Sequence, residues 1–209
     1  MLTRETPITI AGPVGDLEAL WLDTPDAKGV ALICHPNPVQ GGTMLNKVVS
    51  TLQRTARDCG LATLRFNYRG VGASAGSSDM HSGEVDDAQA AAAWLQERYP
   101  QLPITLLGFS FGGFVAAALG ARLEAQGVSV TKLFMVAPAV HRLTAELPPA
   151  ANCPLVVIQP ETDEVIDPQT VYQWSAALGR AHELLKVAEC GHFFHGKLTD
   201  LKELLLPRL

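Results

Sequence analysis

Ser110 lies between two glycines, each two residues away, in Gly108-Phe109-Ser110-Phe111-Gly112. The apolar run Ile104–Leu107 leads into it, and a helical stretch from about Gly112 to Ala125 leads away. A serine on so tight a strand-to-helix turn projects its hydroxyl above the sheet, with the positive end of the helix behind it. The chemistry this suits is attack on an acyl carbon. A hydroxyl is a weak nucleophile, however, and needs an adjacent base, usually an imidazole oriented by a carboxylate. Downstream of Ser110 the histidines are His141, His182, His192 and His195. His192 and His195 share one glycine-flanked loop, Gly191–Gly196, after the last expected strand. Glu161, Asp163 and Asp167 follow the strand expected at Leu155–Ile158, and any of them is a candidate carboxylate. Asp167 precedes Pro168 and reads better as a helix N-cap with proline at the first helical position. Cys190 beside His192 and His195 also permits a metal reading, but one loop without a second set of ligands argues against it.

Acyl transfer also needs N–H donors aimed at the developing oxyanion. The loop after the strand Val30–Cys34 reads His35-Pro36-Asn37-Pro38. Prolines have no N–H, so Asn37 is the one central donor in a stiffened segment. His35 reads as a structural residue that bonds loop backbone. Thr43, after Gly41-Gly42, is a plausible cap for the next helix.

These residues need a scaffold that holds four loops together, and the segment order supplies one. Thr6–Ala11 and Leu17–Leu22 read as an antiparallel hairpin about the turn residues Gly12–Asp16. Apolar strands then alternate with helices. The strands are Val30–Cys34, Ala62–Phe66, Ile104–Leu107, Lys132–Val136, Leu155–Ile158 and Glu183–Val187. The helices are Leu45–Asp58, Glu84–Arg98, Gly112–Ala125, Gln169–Leu178 and Leu198–Leu205. This pattern predicts an α/β fold with a mostly parallel sheet covered on both faces. Ligands bind such sheets beyond the carboxyl ends of the strands, where the candidate residues fall. Asp86 and Asp87 read as dipole-complementing residues of a first helical turn. Trp94, Tyr99 and Trp174 read as packing residues.

Bulk properties narrow the function classes. The 209 residues, 47% apolar, suit a single domain over 1–209 that buries a core without staples. A net charge of −5, with lysines and arginines scattered, gives no footprint for nucleic acid or an anionic membrane. Arg69-Gly70-Val71-Gly72-Ala73-Ser74 lacks the lysine of a phosphate loop. Cys34, Cys59, Cys153 and Cys190 show no C-x-x-C spacing and read as free thiols. No signal-peptide core or membrane-length apolar run is visible, so a soluble, cytoplasmic protein is expected.

Taken together, His35-Pro36-Asn37-Pro38, Phe66-Asn67-Tyr68-Arg69-Gly70-Val71-Gly72-Ala73-Ser74, the serine turn, Asp163 and Gly191-His192 resemble the α/β-hydrolase superfamily over nearly the whole chain. The resemblance is to its small lidless branch, near the dienelactone-hydrolase-like proteins. Many dienelactone hydrolases carry cysteine as the nucleophile, where this chain has Ser110. The resemblance implies a central sheet with an N-terminal antiparallel hairpin and no cap domain, which fits the short stretch Pro138–Asn152. It implies the order Ser, Asp, His, and so Ser110, Asp163 and His192, with His195 the runner-up histidine. Pro160 replaces the first glycine of the family's acid-loop pattern. The resemblance implies an oxyanion hole of the Asn37 and Phe111 backbone N–H groups, and a site wall from Arg69–Ser74. The expected activity is a serine hydrolase cleaving small esters through an acyl-enzyme, with no cofactor or metal and a small-molecule acyl substrate. Thioesterase, peptidase and non-catalytic binding roles on the same fold are the alternatives.

Overall fold

The computed structural model describes residues 4–209. Eight strands form one sheet: β1 (Thr6–Gly12), β2 (Gly15–Leu22), β3 (Val30–Cys34), β4 (Ala62–Phe66), β5 (Ile104–Phe109), β6 (Val130–Val136), β7 (Leu155–Pro160) and β8 (Glu183–Val187). Their spatial order is β1-β2-β4-β3-β5-β6-β7-β8. β1 runs antiparallel to β2 and β2 antiparallel to β4; every later pairing is parallel. The helices are α1 (Lys47–Asp58), α2 (Gly83–Arg98), α3 (Phe111–Ala125), α4 (Pro168–Ala177) and α5 (Leu198–Leu205).

Side chains alternate across a strand, and the sheet's two faces feed two cores. On one face lie Val30, Leu32 and Cys34 of β3 with Ile104 and Leu106 of β5. They share a core with Val85, Ala88 and Ala92 of α2, Phe114 and Val115 of α3 and Val171 of α4. Ala31 and Ile33 point the other way, to Leu107, Phe109, Val48 and Leu52 of α1 and Leu201 and Leu205 of α5. β3 and β5 are buried along their whole length, which is why they read as continuous apolar runs. α3 is buried on nearly every side, and its Ala- and Gly-rich sequence lets it lie close to the sheet.

The order fixes where a site can form. From β3 the chain crosses to β4 on one side, then returns past β3 to β5 on the other. The two loops leaving β3 and β5 therefore diverge, and a crevice opens between them at this switch point. Asn37 follows β3, and Ser110 follows β5.

Several boundaries differ from the sequence reading. The hairpin turn is tighter than five residues, because Gly12 already pairs with Gly15. β5 continues to Phe109 because its ladder with β6 runs on to Val136. β7 ends on Pro160, where a missing N–H costs nothing further along. Asn46, not Thr43, caps α1: its side chain accepts from the Val48 N–H at 2.8 Å, whereas Thr43 Oγ1 accepts from the Leu45 N–H in the preceding turn. Asp86 and Asp87 do more than complement a dipole. Asp87 is fully buried and grips the Arg69 guanidinium at 2.8 Å, and Asp86 pairs with Arg122. Between β6 and β7 there is one 3₁₀ turn, Val140–Arg142, and no lid. Glu124 of α3 ties this crossing down by accepting from the N–H groups of Ala151, Asn152 and Cys153. Among the described residues, no helix is long and apolar enough to cross a membrane.

Candidate active site

Ser110 adopts φ +56° and ψ −119°, a conformation that L residues rarely take. Its neighbours hold it there. The Ser110 N–H donates to Val136 O at 2.8 Å, and its carbonyl accepts from Gly113 and Ala139. The flanking glycines allow the close crossing: a Cβ on Gly108 would lie 2.0 Å from the Gly112 carbonyl oxygen, and one on Gly112 would lie 2.2 Å from that of Cys34. The glycine spacing thus reflects α3 starting directly against β3 and β5.

His192 stands on the loop after β8, and its imidazole is buried between Phe109 and Phe193. Its Nε2 accepts from the Ser110 hydroxyl at 2.9 Å. Its Nδ1–H donates to Asp163, 2.8 Å from Oδ2 and 3.0 Å from Oδ1. The three side chains form one hydrogen-bonded chain. Asp163 is held from the far side too, by the Val165 and Ile166 N–H groups on Oδ1 and by Gln159 Nε2 on Oδ2 at 3.2 Å. Burial opposes ionisation of this carboxyl, but the His192 hydrogen bond and the loop N–H groups outweigh it and hold its pKa below the usual carboxylate range.

The acid loop grips the histidine loop at three successive residues. The Thr162 hydroxyl donates to Cys190 O at 2.9 Å, Asp163 orients the ring, and Glu164 Oε2 accepts from the His192 backbone N–H at 3.0 Å. Thr162, Glu164 and Gln159 escaped the sequence reading. Their only signal was adjacency to Asp163, and which of them reaches the other loop depends on the spacing of β7 and β8. The alternatives fall elsewhere. His195 is exposed on the surface, Glu161 is exposed at the strand end, and Asp167 caps α4 by accepting from the Gln169 N–H. Among the described residues, no group of three metal-ligating side chains gathers.

The loop after β3 folds back sharply. The Asn37 carbonyl accepts from Gln40 and Gly42, and its side chain accepts from the Val39 N–H. Its own N–H, like that of Phe111, meets no acceptor among the described residues. His35 clamps the base of this loop. Its Nδ1–H donates to Pro36 O at 2.7 Å, and its Nε2 accepts from the Tyr68 N–H at 3.1 Å. Burial pushes the His35 pKa down to about 3, so the ring stays neutral. The Arg69–Ser74 loop does not line the cleft, contrary to the sequence reading. It is drawn back by Asp87 on Arg69 and by Glu18, which accepts from Asn67 and the Ala73 N–H.

Ser110 and His192 open on a cleft of about 520 Å³ lined by Pro36, Asn37, Gln40, Gly41, Gly42, Asn46, Val165 and Phe193. With no lid above it, the hydroxyl is reached from solvent through this cleft. A serine hydroxyl, an imidazole and a carboxylate thus form one hydrogen-bonded chain, and the serine and histidine line this opening.

A family model described as serine aminopeptidase, S33, matches residues 27–152. An uncharacterized protein of Rickettsia prowazekii is 32% identical over 203 residues, covering 92% of this chain and 83% of that protein. A crystal structure from Xanthomonas campestris, described as an α/β serine hydrolase without lid, superposes with a TM-score of 0.87 at 38% identity, covering 100% of this chain and 94% of that one. An α/β serine hydrolase homologue from Coxiella burnetii gives a TM-score of 0.87 at 35% identity, covering 100% of this chain and 99% of the other. The match over residues 27–152, inside a likeness that runs the length of the chain, places this protein in the family described as serine aminopeptidase, S33, within the α/β-hydrolase superfamily.

Proposed function

We propose that the protein is an esterase-like serine hydrolase with Ser110 as nucleophile, His192 as general base and acid, Asp163 as its orienting carboxylate, and the Asn37 and Phe111 N–H groups as oxyanion donors. The observation that carries this reading is the hydrogen-bonded chain Ser110–His192–Asp163, ending at a cleft lined by Ser110, His192 and Asn37. In the first half-reaction, His192 Nε2 takes the Ser110 proton as Oγ bonds to the acyl carbon. The carbonyl electron pair moves onto oxygen, facing the two N–H groups. As the carbonyl reforms, the bond to the alkoxy oxygen breaks and the imidazolium returns its proton to the leaving alcohol. In the second, His192 takes a proton from water as the hydroxide bonds to the acyl carbon. The bond to Oγ then breaks, Ser110 regains the proton, and the carboxylic acid leaves. Asp163 stays ionised throughout and stabilises the imidazolium between steps.

The lining of the cleft favours an uncharged ester over a peptide with a free N-terminus. An aminopeptidase must balance its substrate's ammonium group, and none of the residues lining the cleft carries a carboxylate. Thioesters and amides pass through the same steps and differ only in the leaving atom. The four free cysteines suit a reducing compartment, which supports a cytoplasmic location.

The test is pre-steady-state hydrolysis of p-nitrophenyl acetate beside p-nitroanilide and thioester analogues. A burst of p-nitrophenol with one acetyl group on Ser110, both absent in Ser110→Ala, is expected. Unchanged turnover in Ser110→Ala contradicts the assignment.

A further inference from the structure

The surface around the cleft is unusual in one respect. Val39 (65% exposed), Leu45 (62%), Val165 (46%) and Phe193 (42%) are large apolar side chains that stay exposed. Leu45, Val165 and Phe193 line this opening and its extension, and Val39 sits between the lining residues Asn37 and Gln40. Isolated exposed apolar residues need no explanation, but a contiguous set rimmed by polar groups marks a binding surface.

The rim continues into a second depression of about 340 Å³, whose walls include Leu45, Lys47 and His195. It shares Gly41, Asn46 and Phe193 with the cleft at Ser110, so the two form one groove. Phe193 is the wall between them. It follows His192 in the chain and packs edge-on against its ring, with centroids 5.1 Å apart. The depression is walled on one side by Phe193 and His195 of the histidine loop and on the other by residues of the loop after β3, so a chain leaving the reacting centre along it passes beside the His192 ring.

The flank decides which part of a substrate lies there. His192 must hand its proton to the leaving oxygen, so the alcohol moiety sits beside the imidazole. The acyl carbon and its oxyanion sit toward Phe111 and Asn37. We infer that the groove running past Phe193 to Leu45 holds the leaving alcohol, and that the substrate is an ester of an extended apolar alcohol. This inference rests on the serine-hydrolase reading above and gives it a substrate class. The alkyl chain would lie between the Phe193 ring and the Leu45 side chain, which leave water together with it.

Two ester series of equal carbon count separate the possibilities: alkyl acetates from ethyl to octyl, and ethyl esters from acetate to octanoate. For the wild type, kcat/KM is expected to rise about tenfold or more along the alkyl acetates, and far less along the ethyl esters. Leu45→Ser and Phe193→Ser are each expected to lower the ratio of hexyl to ethyl acetate by about tenfold. Leu45 is exposed, so its replacement leaves the core intact. If ethyl acetate is hydrolysed but longer alcohols give no gain, or if chain preference follows the acyl side, the groove assignment fails and the serine-hydrolase reading stands. If no ester turns over and Ser110 resists a fluorophosphonate, both fail together.

Discussion

Lowering the pH from 8 to 5 is expected to weaken the fold through one buried ring. His35 is fully buried, with Nε2 as an acceptor for the Tyr68 N–H, and its folded pKa is about 3. An unfolded histidine titrates near ~6.5. Between these values the unfolded chain binds a proton that the native chain refuses. The stabilisation is thus complete above the unfolded value and drains away as pH falls toward the folded one. The gap is worth about 5 kcal/mol in full, of which about 2 kcal/mol is lost by pH 5. His141 is also held down, by burial and then by Arg142, and adds a term of the same sign. Asp163 and Glu124 have lowered pKa values and act only in more acidic solution. Guanidinium unfolding of wild type and His35→Asn at pH 8 and 5 isolates the ring, because every other group cancels in the double difference. The wild type should lose about 2 kcal/mol more than the variant on acidification. Equal losses in the two proteins would refute the reasoning.

Asp163→Asn should lower kcat by about 10³–10⁴ with little change in KM, because the amide no longer fixes the proton on His192 Nδ1; steady-state kinetics on p-nitrophenyl acetate checks this. Glu164→Ala removes the acceptor of the His192 N–H and should cost about fivefold in kcat, with thermal stability nearly unchanged. An effect of Glu164→Ala on KM alone would show that it touches substrate and does not position the ring. Gly112→Ala places a methyl 2.2 Å from the Cys34 carbonyl oxygen and should destabilise the protein by about 3 kcal/mol or more, read by denaturant unfolding. A stable Gly112→Ala protein would mean that α3 does not start so close to β3.

The elements around Ser110 were legible in sequence because burial on both faces leaves continuous apolar runs. β3, β4 and β8 begin and end where composition placed them. The meeting of Ser110, Asp163 and His192 was legible for a different reason: a strand-to-helix turn and two strand-end loops leave few candidates, and the family resemblance ordered them. What escaped depends on distances between loops. Glu164 and Thr162 look like ordinary exposed polar residues until β7 and β8 bring their loops together. Asp87 followed the rule for a first-turn aspartate, but Arg69 arrives from another loop and claims it. The Asn46 cap was missed because Thr43 offered the same chemistry three residues earlier, and only the helix start decides between them. The apolar rim could not be read at all, since Val39, Leu45, Val165 and Phe193 come from three separated loops.

The central claim is that Ser110 is an activated nucleophile, and covalent trapping tests it most directly. The folded wild type, incubated with a fluorophosphonate and digested for mass spectrometry, should carry one phosphonyl group on the peptide containing Ser110. Asp163→Asn should label far more slowly, and Ser110→Ala should not label. Label on another residue, or none on a folded wild type, contradicts the account.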